Sequence, residues 1–297
     1  MSRKTLTFSG SMAAIVTPFR EGEIDWDAFA AIIDRQIASG SSALVPCGST
    51  GEAATLSHQE HAAVVRFAVE RAAGRVPVIA GTGSNSTAEA IELTAAAARA
   101  GAAGALLISP YYNKPTQEGI IRHYLAVAEA VRLPLVLYNI PGRTASRIEA
   151  TTVARLAQHP NIVGLKESDS LDHVLDVLQL VGDRFELYAG DDAVTFSFMA
   201  LGGAGVISTV ANAVPHKMAD LVAACRAGDW ERGRALQFRL LPLIRACFTE
   251  TNPIPIKHAL ALLGLCRDEL RLPLTPLGDP ARSEALAGAL RDLELLP

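Results

Sequence analysis

The chain has 297 residues, 49% of them hydrophobic, enough to bury one large core with a small appendage. Its formal charge is −4, and no run of Lys or Arg could track a phosphate backbone or an anionic bilayer. Nucleic acid and membrane are thereby excluded as partners.

Residues 1–10 carry Arg3 and Lys4, but the apolar stretch at 12–16 is stopped by Pro18, too early for a secretory signal. Short β-rich runs then alternate with amphipathic stretches, at 13–17, 43–47, 76–80, 105–109, 133–138, 162–166, 185–189 and 205–208. Most are continuously apolar, as strands buried on both faces must be. Between them Ser57 caps a helix running to Arg71, Ser86 precedes one over 88–99 and Thr116 one over 118–131. Gly40, Gly74 and Gly101 stand where helices end. Eight βα units in succession predict an α/β chain folded as a closed (β/α)8 barrel, a TIM barrel, over 1–225. Residues 226–297 read as a C-terminal helical subdomain, broken by Pro242, by Pro253 and Pro255, and by Pro273 and Pro276. No apolar run approaches the ~20 residues of a membrane span. Cys47, Cys225, Cys247 and Cys266 are far apart with no Cys-x-x-Cys pair, which suits reduced core thiols in a cytoplasmic protein.

Chemistry on such a barrel sits at the C-terminal ends of the strands. The residues just past each run are rich in hydroxyls: Thr17, Ser49, Thr50, Tyr111, Tyr112, Tyr138 with Asn139, Lys166 with Glu167, Asp191 with Asp192, and Ser208 with Thr209. Lys166 ends an apolar run in a chain of only five lysines. Strand alternation puts it on the same side as Gly164, leaving space beneath it if that side faces the axis. Burial there favours the neutral amine, the form that attacks a ketone. The alternative is an ion pair with Glu167 or Asp191. Tyr138 and Tyr112 are candidates for moving protons, or packed aromatics. The turn Gly48-Ser49-Thr50-Gly51 can cradle a carboxylate or merely reverse the chain, and Arg143 can fork onto a second carboxylate or stay solvated.

Other chemistries lack their residues. Ser86 stands where a dinucleotide fingerprint after Gly81-Thr82-Gly83 needs a glycine, and the acidic Gly190-Asp191-Asp192 opposes a phosphate site. His58 and His61 lack a His-Glu-x-x-His frame, so no metal site is expected. Cys47 reads as packing.

Five segments carry more: Tyr111-Tyr112-Asn113-Lys114-Pro115, Tyr138-Asn139-Ile140-Pro141-Gly142-Arg143-Thr144, Gly164-Leu165-Lys166-Glu167, Gly190-Asp191-Asp192 and Asn252-Pro253-Ile254-Pro255-Ile256-Lys257. With them the chain resembles the dihydrodipicolinate synthase and N-acetylneuraminate lyase superfamily of class I pyruvate aldolases. The match runs from Thr17-Pro18-Phe19 to Leu272-Pro273-Leu274-Thr275-Pro276 and looks like the synthase branch.

The resemblance implies condensation of pyruvate with L-aspartate 4-semialdehyde, the first committed step of the diaminopimelate route to lysine. It implies an imine between Lys166 and pyruvate, with no metal or organic cofactor. Tyr138 would donate and accept protons, while Ser49 and Tyr112 complete a hydroxyl relay, Tyr112 arriving from a neighbouring subunit. Thr50 and the backbone at Ile207 would hold the pyruvate carboxylate, Gly190 would border the substrates, and Arg143 would receive the semialdehyde carboxylate. A homotetramer built as a dimer of dimers is implied. Synthases of the family commonly have two threonines where this chain has Ser49-Thr50, and serine there is frequent among sialic acid lyases. The hydroxyl survives, and Arg143 favours the semialdehyde. Ala54, His58, His61, Asn85, Glu89 and Tyr111 match positions that line a lysine pocket at the dimer interface of feedback-regulated members, with Ala53 replacing a frequent serine. Inhibition by L-lysine is the implied consequence. The rival readings are another pyruvate-dependent aldolase acting on a sugar acid, and a barrel without catalysis kept for binding.

Overall fold

The computed structural model describes residues 8–182 and 185–297; Arg3 and Lys4 lie outside that range. In chain order it contains β1 (Gly10–Ala13), β2 (Phe19–Arg20), β3 (Glu23–Ile24), α1 (Trp26–Ala38), β4 (Ala43–Leu44), α2 (His58–Ala72), β5 (Ile79–Gly81), α3 (Thr87–Arg99) and β6 (Gly104–Ile108). These are followed by α4 (Gln117–Ala130), β7 (Leu135–Asn139), α5 (Pro141–Thr144), α6 (Ala150–Leu156), β8 (Ile162–Glu167) and α7 (Leu171–Val181). The chain ends with β9 (Glu186–Ala189), α8 (Thr195–Ala200), β10 (Gly205–Ser208), α9 (Pro215–Arg226), α10 (Trp230–Ala246), α11 (Ile254–Leu262) and α12 (Pro280–Asp292). The strands β2 and β3 form a separate antiparallel ribbon.

The other eight strands are parallel neighbours in the order β4-β1-β10-β9-β8-β7-β6-β5, and a parallel bridge from Leu44 to Val78 brings the two edges together. The (β/α)8 barrel expected from the alternation is thus present. Two apolar layers follow from the period of two along each strand. Along β7, Leu135 and Leu137 join the layer between barrel and helices, while Val136 and Tyr138 join the layer inside the barrel. The interior also holds Met12, Ile79, Leu106, Tyr188 and Ile207, and Phe8 enters it from below. It is a packed core rather than an open channel.

The helix starts follow local chemistry. Ser57 caps α2 in a full capping box with Glu60, while Ser86 and Thr116 accept from Glu89 and Gly119 N–H at the starts of α3 and α4. Gly40, Gly74 and Gly101 all have positive φ, as their places at helix ends require.

Two expectations need correction. The first ladder strand is Gly10–Ala13 rather than 13–17. Gly10 lies so close to Gly205 that a Cβ on the latter would sit 2.0 Å from Gly10 O, so two glycines allow this close strand pairing. The apolar run stays extended beyond the ladder, with Ile15 N–H bonded to Val45 O and Val16 N–H to Asn212 Oδ1. The second correction is Pro242, which lies inside α10 without ending it. Proline withholds one N–H from the carbonyl four residues back, here that of Phe238, an exposed residue whose side of the helix faces solvent.

The C-terminal helices are tied to the barrel by buried charge. Lys257 on α11 places Nζ 2.5 Å from Glu52 Oε1, with both side chains fully buried, and lies 4.1 Å from the Phe19 ring centroid. Removing either partner would strand the other charge, at a cost of roughly 3–5 kcal/mol. Between α10 and α11 the chain crosses the mouth of the barrel, where Phe248, Glu250, Thr251 and Asn252 line a cavity. Among the described residues no helix is long and apolar enough to cross a membrane.

Candidate active site

Parallel pairing of β7 with β8 sets Tyr138 opposite Lys166 and Asn139 opposite Glu167. The first pair points into the barrel and the second outward. Lys166 Nζ lies 4.2 Å from the Tyr138 ring centroid, and each residue is 6% exposed. Among the described residues no carboxylate forms an ion pair with Lys166. Glu167 is occupied behind the strand, accepting from Asn139 Nδ2 at 2.9 Å and facing His173 Nδ1 at 2.7 Å. The ion-pair alternative for Lys166 is therefore not realised, and a buried amine stands beside a phenol.

Gly164 does not leave space beneath Lys166. A Cβ there would come within 2.9 Å of Tyr188 Cε2 and 2.6 Å of Glu186 O, so the glycine admits the Tyr188 ring that floors the site. Gly190 has a different duty. A Cβ on it would lie 3.0 Å from Lys166 Cε and 2.0 Å from Ser168 Oγ, so its bare backbone leaves room for both side chains.

The lysine opens into a cavity of about 640 Å³ lined by Ser49, Thr50, Tyr138, Arg143, Gly190 and Thr209 among others. Thr17 does not reach it; its hydroxyl donates to Gly51 O at 2.7 Å and holds the Gly48–Gly51 turn from behind. Thr50 Oγ1 is 3.4 Å from Thr209 Oγ1 and accepts from Asn252 Nδ2 at 3.0 Å. Asp192 supports Thr209, its Oδ2 accepting from the N–H groups of Thr209 and Val210 at 3.0 and 3.1 Å, and burial pushes its carboxyl up to about 6. Arg143 on α5 donates from Nη2 to Asn252 O at 2.8 Å. Arg245 also lines the cavity; of the lining acids Glu250 is paired with Arg282 at 2.7 Å, while Asp191 accepts from the Ala193 N–H at 2.9 Å and keeps its charge. Lys166, Arg143 and Arg245 outweigh that single carboxylate, which favours carboxylate ligands. Ile207 is fully buried in the inner layer and does not line the cavity.

Tyr112 stands apart. It is 88% exposed, adopts φ +70°, and lines neither this cavity nor its neighbour. Within one chain the hydroxyls of Ser49 and Tyr138 share the cavity without it.

A second cavity of about 560 Å³ adjoins the first through Ser49, Tyr138 and Arg143. Ala53, Ala54, His58, His61, Glu89 and Tyr111 line it, and Asn85 stands behind, donating from Nδ2 to Tyr111 O at 3.2 Å. His58 Nε2 is 2.7 Å from Glu89 Oε1, and hydrogen bonds from Ser84 and then His58 hold the Glu89 carboxyl below the usual range. His61 Nε2 lies 2.7 Å from Gly81 O, and burial pulls this imidazole below its ordinary value. The group expected at a lysine pocket is thus assembled, with an ionised carboxylate in its wall.

Residue-by-residue reading had missed Ser168, Thr209's role beside Thr50, and above all Asn252. Its Asn-Pro-Ile-Pro segment stood out as a motif, but nothing local showed that it returns from the end of the chain to the mouth.

The Dihydrodipicolinate synthetase family profile matches residues 7–290. A 4-hydroxy-tetrahydrodipicolinate synthase of Geobacter metallireducens is 52% identical over 290 residues, 97% of this chain and 100% of the relative. The crystal structure of the chloride inhibited dihydrodipicolinate synthase from Acinetobacter baumannii complexed with pyruvate is 44% identical, with a TM-score of 0.95 over 97% of this chain and 100% of that one. The enzyme from Cyanidioschyzon merolae with lysine bound is 39% identical, with a TM-score of 0.95 over 98% and 100%.

Proposed function

The chain belongs to the dihydrodipicolinate synthetase family, and on that premise we propose that it condenses pyruvate with L-aspartate 4-semialdehyde to 4-hydroxy-tetrahydrodipicolinate, on the route to diaminopimelate and lysine. The observation that carries the reading is Lys166: a buried amine that no carboxylate among the described residues pairs with, beside the Tyr138 ring, opening into a cavity also lined by Arg143 and Arg245.

The neutral Lys166 amine attacks the ketone carbon of pyruvate to give a carbinolamine, which loses water to form an imine. The iminium withdraws electrons from the methyl group, a proton leaves, and the enamine carbon adds to the aldehyde of the second substrate. The amino group of that substrate then closes the ring on the imine carbon and expels Lys166. Tyr138, whose ring centroid lies 4.2 Å from Nζ, exchanges protons at each stage, with Ser49 next in the relay and Tyr112 supplied by a neighbouring chain. Thr50 holds the pyruvate carboxylate and Arg143 that of the semialdehyde, which fixes the two carbons for attack. The covalent imine provides the electron sink, so the scheme calls for no metal or organic cofactor. The backbone at Ile207, whose side chain is buried in the inner layer, is the second proposed holder of the pyruvate carboxylate.

The reading extends to a cytoplasmic homotetramer assembled from dimers, which Tyr112 would require at the dimer level, and to inhibition by L-lysine. The Glu89 carboxylate beside His58 offers that ligand's ammonium a partner. A single assay tests these activities. Turnover is coupled to a reductase that consumes reduced nicotinamide only when the heterocycle forms, with and without added L-lysine. Wild-type turnover that vanishes in Lys166→Ala, together with a borohydride-trapped pyruvate adduct on Lys166, is the expected result. A trapped adduct without turnover would redirect the site to another aldol acceptor, and activity flat across a lysine titration would remove the inhibitor.

A further inference from the structure

The two carboxylate holders assigned above come from different parts of the barrel, Thr50 from the turn after β4 and Arg143 from α5, yet both end on one residue of the C-terminal region. Asn252 donates from Nδ2 to Thr50 Oγ1 at 3.0 Å, and its backbone carbonyl accepts from Arg143 Nη2 at 2.8 Å. It is 9% exposed and lines both cavities, while its Oδ1 has no hydrogen-bond partner among the described residues.

We propose that Asn252 is a positioning residue that orients the Thr50 hydroxyl for the pyruvate carboxylate and ties it to the Arg143 guanidinium that receives the second substrate. The inference rests on the function proposed above and adds a residue to it.

A threonine hydroxyl has one proton to give and two lone pairs to accept with. The Asn252 amide takes a lone pair, so the Thr50 proton is left for Thr209 Oγ1, 3.4 Å away and weakly held, or for a carboxylate entering the cavity. Without the amide, Thr50 is free to spend its proton elsewhere. Arg143 depends on the same residue differently, because the carbonyl that steadies its fork belongs to a backbone segment whose anchor at the mouth is the Asn252 side chain. Loosening that anchor lets the guanidinium shift, which weakens its hold on the second substrate without moving Lys166. The buried charge pair of Glu52 and Lys257 fixes the flanks of both segments, so the adjustment is confined to the joint itself.

The test is the steady-state kinetics of Asn252→Ala and Asn252→Asp in the full chain, with folding checked by circular dichroism. In Asn252→Ala the KM for pyruvate should rise about tenfold, with a smaller rise for the semialdehyde and a kcat within about threefold of wild type, since a hydrogen bond to a ligand-holding group is lost while Lys166 is untouched. The same substitution on a Thr50→Ala background should add less than about twofold, because it acts through that hydroxyl. Asn252→Asp keeps the shape but accepts where the amide donated. It draws the Thr50 proton away and sets a negative charge near the carboxylate, so it should weaken pyruvate at least as much as the alanine variant. The aspartate variant decides the matter if the alanine variant fails to fold. A folded variant whose pyruvate KM stays within twofold of wild type, or one that loses kcat alone, overturns the inference while wild-type turnover leaves the function standing. A wild-type chain without turnover or trapped pyruvate defeats the function instead.

Discussion

Gly190 shows how a residue without a side chain can shape a catalytic one. Its missing Cβ leaves room for Lys166 Cε, which would otherwise be 3.0 Å away, and for Ser168 Oγ at 2.0 Å. In Gly190→Ala the Ser168 hydroxyl can rotate away, the Glu167 carbonyl at 2.8 Å is backbone and holds, and the lysine stem at 3.0 Å must give by a few tenths of an ångström. The expected result is a kcat lower by about tenfold with slower borohydride trapping of pyruvate, while the fold persists. A variant that traps pyruvate at the wild-type rate would show that Lys166 does not depend on that gap. At this scale the sequence was informative where chemistry contradicts context. A lysine closing an apolar run is legible as an anomaly and Tyr138 as a residue of the mouth, but that the two stand side by side is set by the register of β7 on β8. The reading of Gly164 reversed, since whether a glycine makes an empty space or admits a neighbour depends on Tyr188, twenty-four residues on in another strand. Asn252 was illegible for the same reason at greater range.

Helix α2 joins local capping to the far end of the chain. Its Glu60 accepts the Ser57 N–H at 2.8 Å to complete the capping box, and the same carboxylate takes both terminal nitrogens of Arg271, at 2.5 and 2.9 Å. The Arg271 guanidinium is the first cause that holds the Glu60 carboxyl down to about 2, with the Ser57 hydrogen bonds reinforcing it. In the unfolded chain the group titrates near the ordinary carboxylate value of about 4.3. Because the folded value is the lower one, the stability from Glu60 is fully present above about pH 4.3 and is lost as pH falls toward 2. Urea midpoints of wild type and Glu60→Gln should therefore differ most at neutral pH and converge as the pH falls from about 4 toward 2; a gap independent of pH would assign it to shape alone. The cap was visible in the sequence because Ser57 and Glu60 are three residues apart, whereas Arg271 was not, being 211 positions away. Strand ends failed in the same way: apolar content marked the run at 13–17, but pairing of Gly10 with Gly205 decides where the ladder lies.

The barrel was legible as a whole because eight repeats of one pattern leave few topologies, and a parallel sheet of sequential strands closes on itself. Assembly leaves no such period in the sequence, and its signature is instead one misplaced side chain. Tyr112 is a large aromatic at 88% exposure in a left-handed backbone conformation, costly for a monomer to maintain on both counts. If it serves the site of a neighbouring chain, two defects on different chains must compensate. A dimer formed from one Lys166→Ala chain and one Tyr112→Phe chain contains one site lacking both groups and one site lacking neither. Each variant alone should be nearly inactive, and a mixture unfolded and refolded together should recover about a quarter of wild-type activity, the share of complete sites that random pairing within an isologous dimer leaves. Recovery must also need exchange, so simple mixing of stable assemblies should give less than co-refolding. If the co-refolded mixture is no more active than its components, Tyr112 acts within its own chain or not at all, and the exposed ring must be explained by a contact other than catalysis.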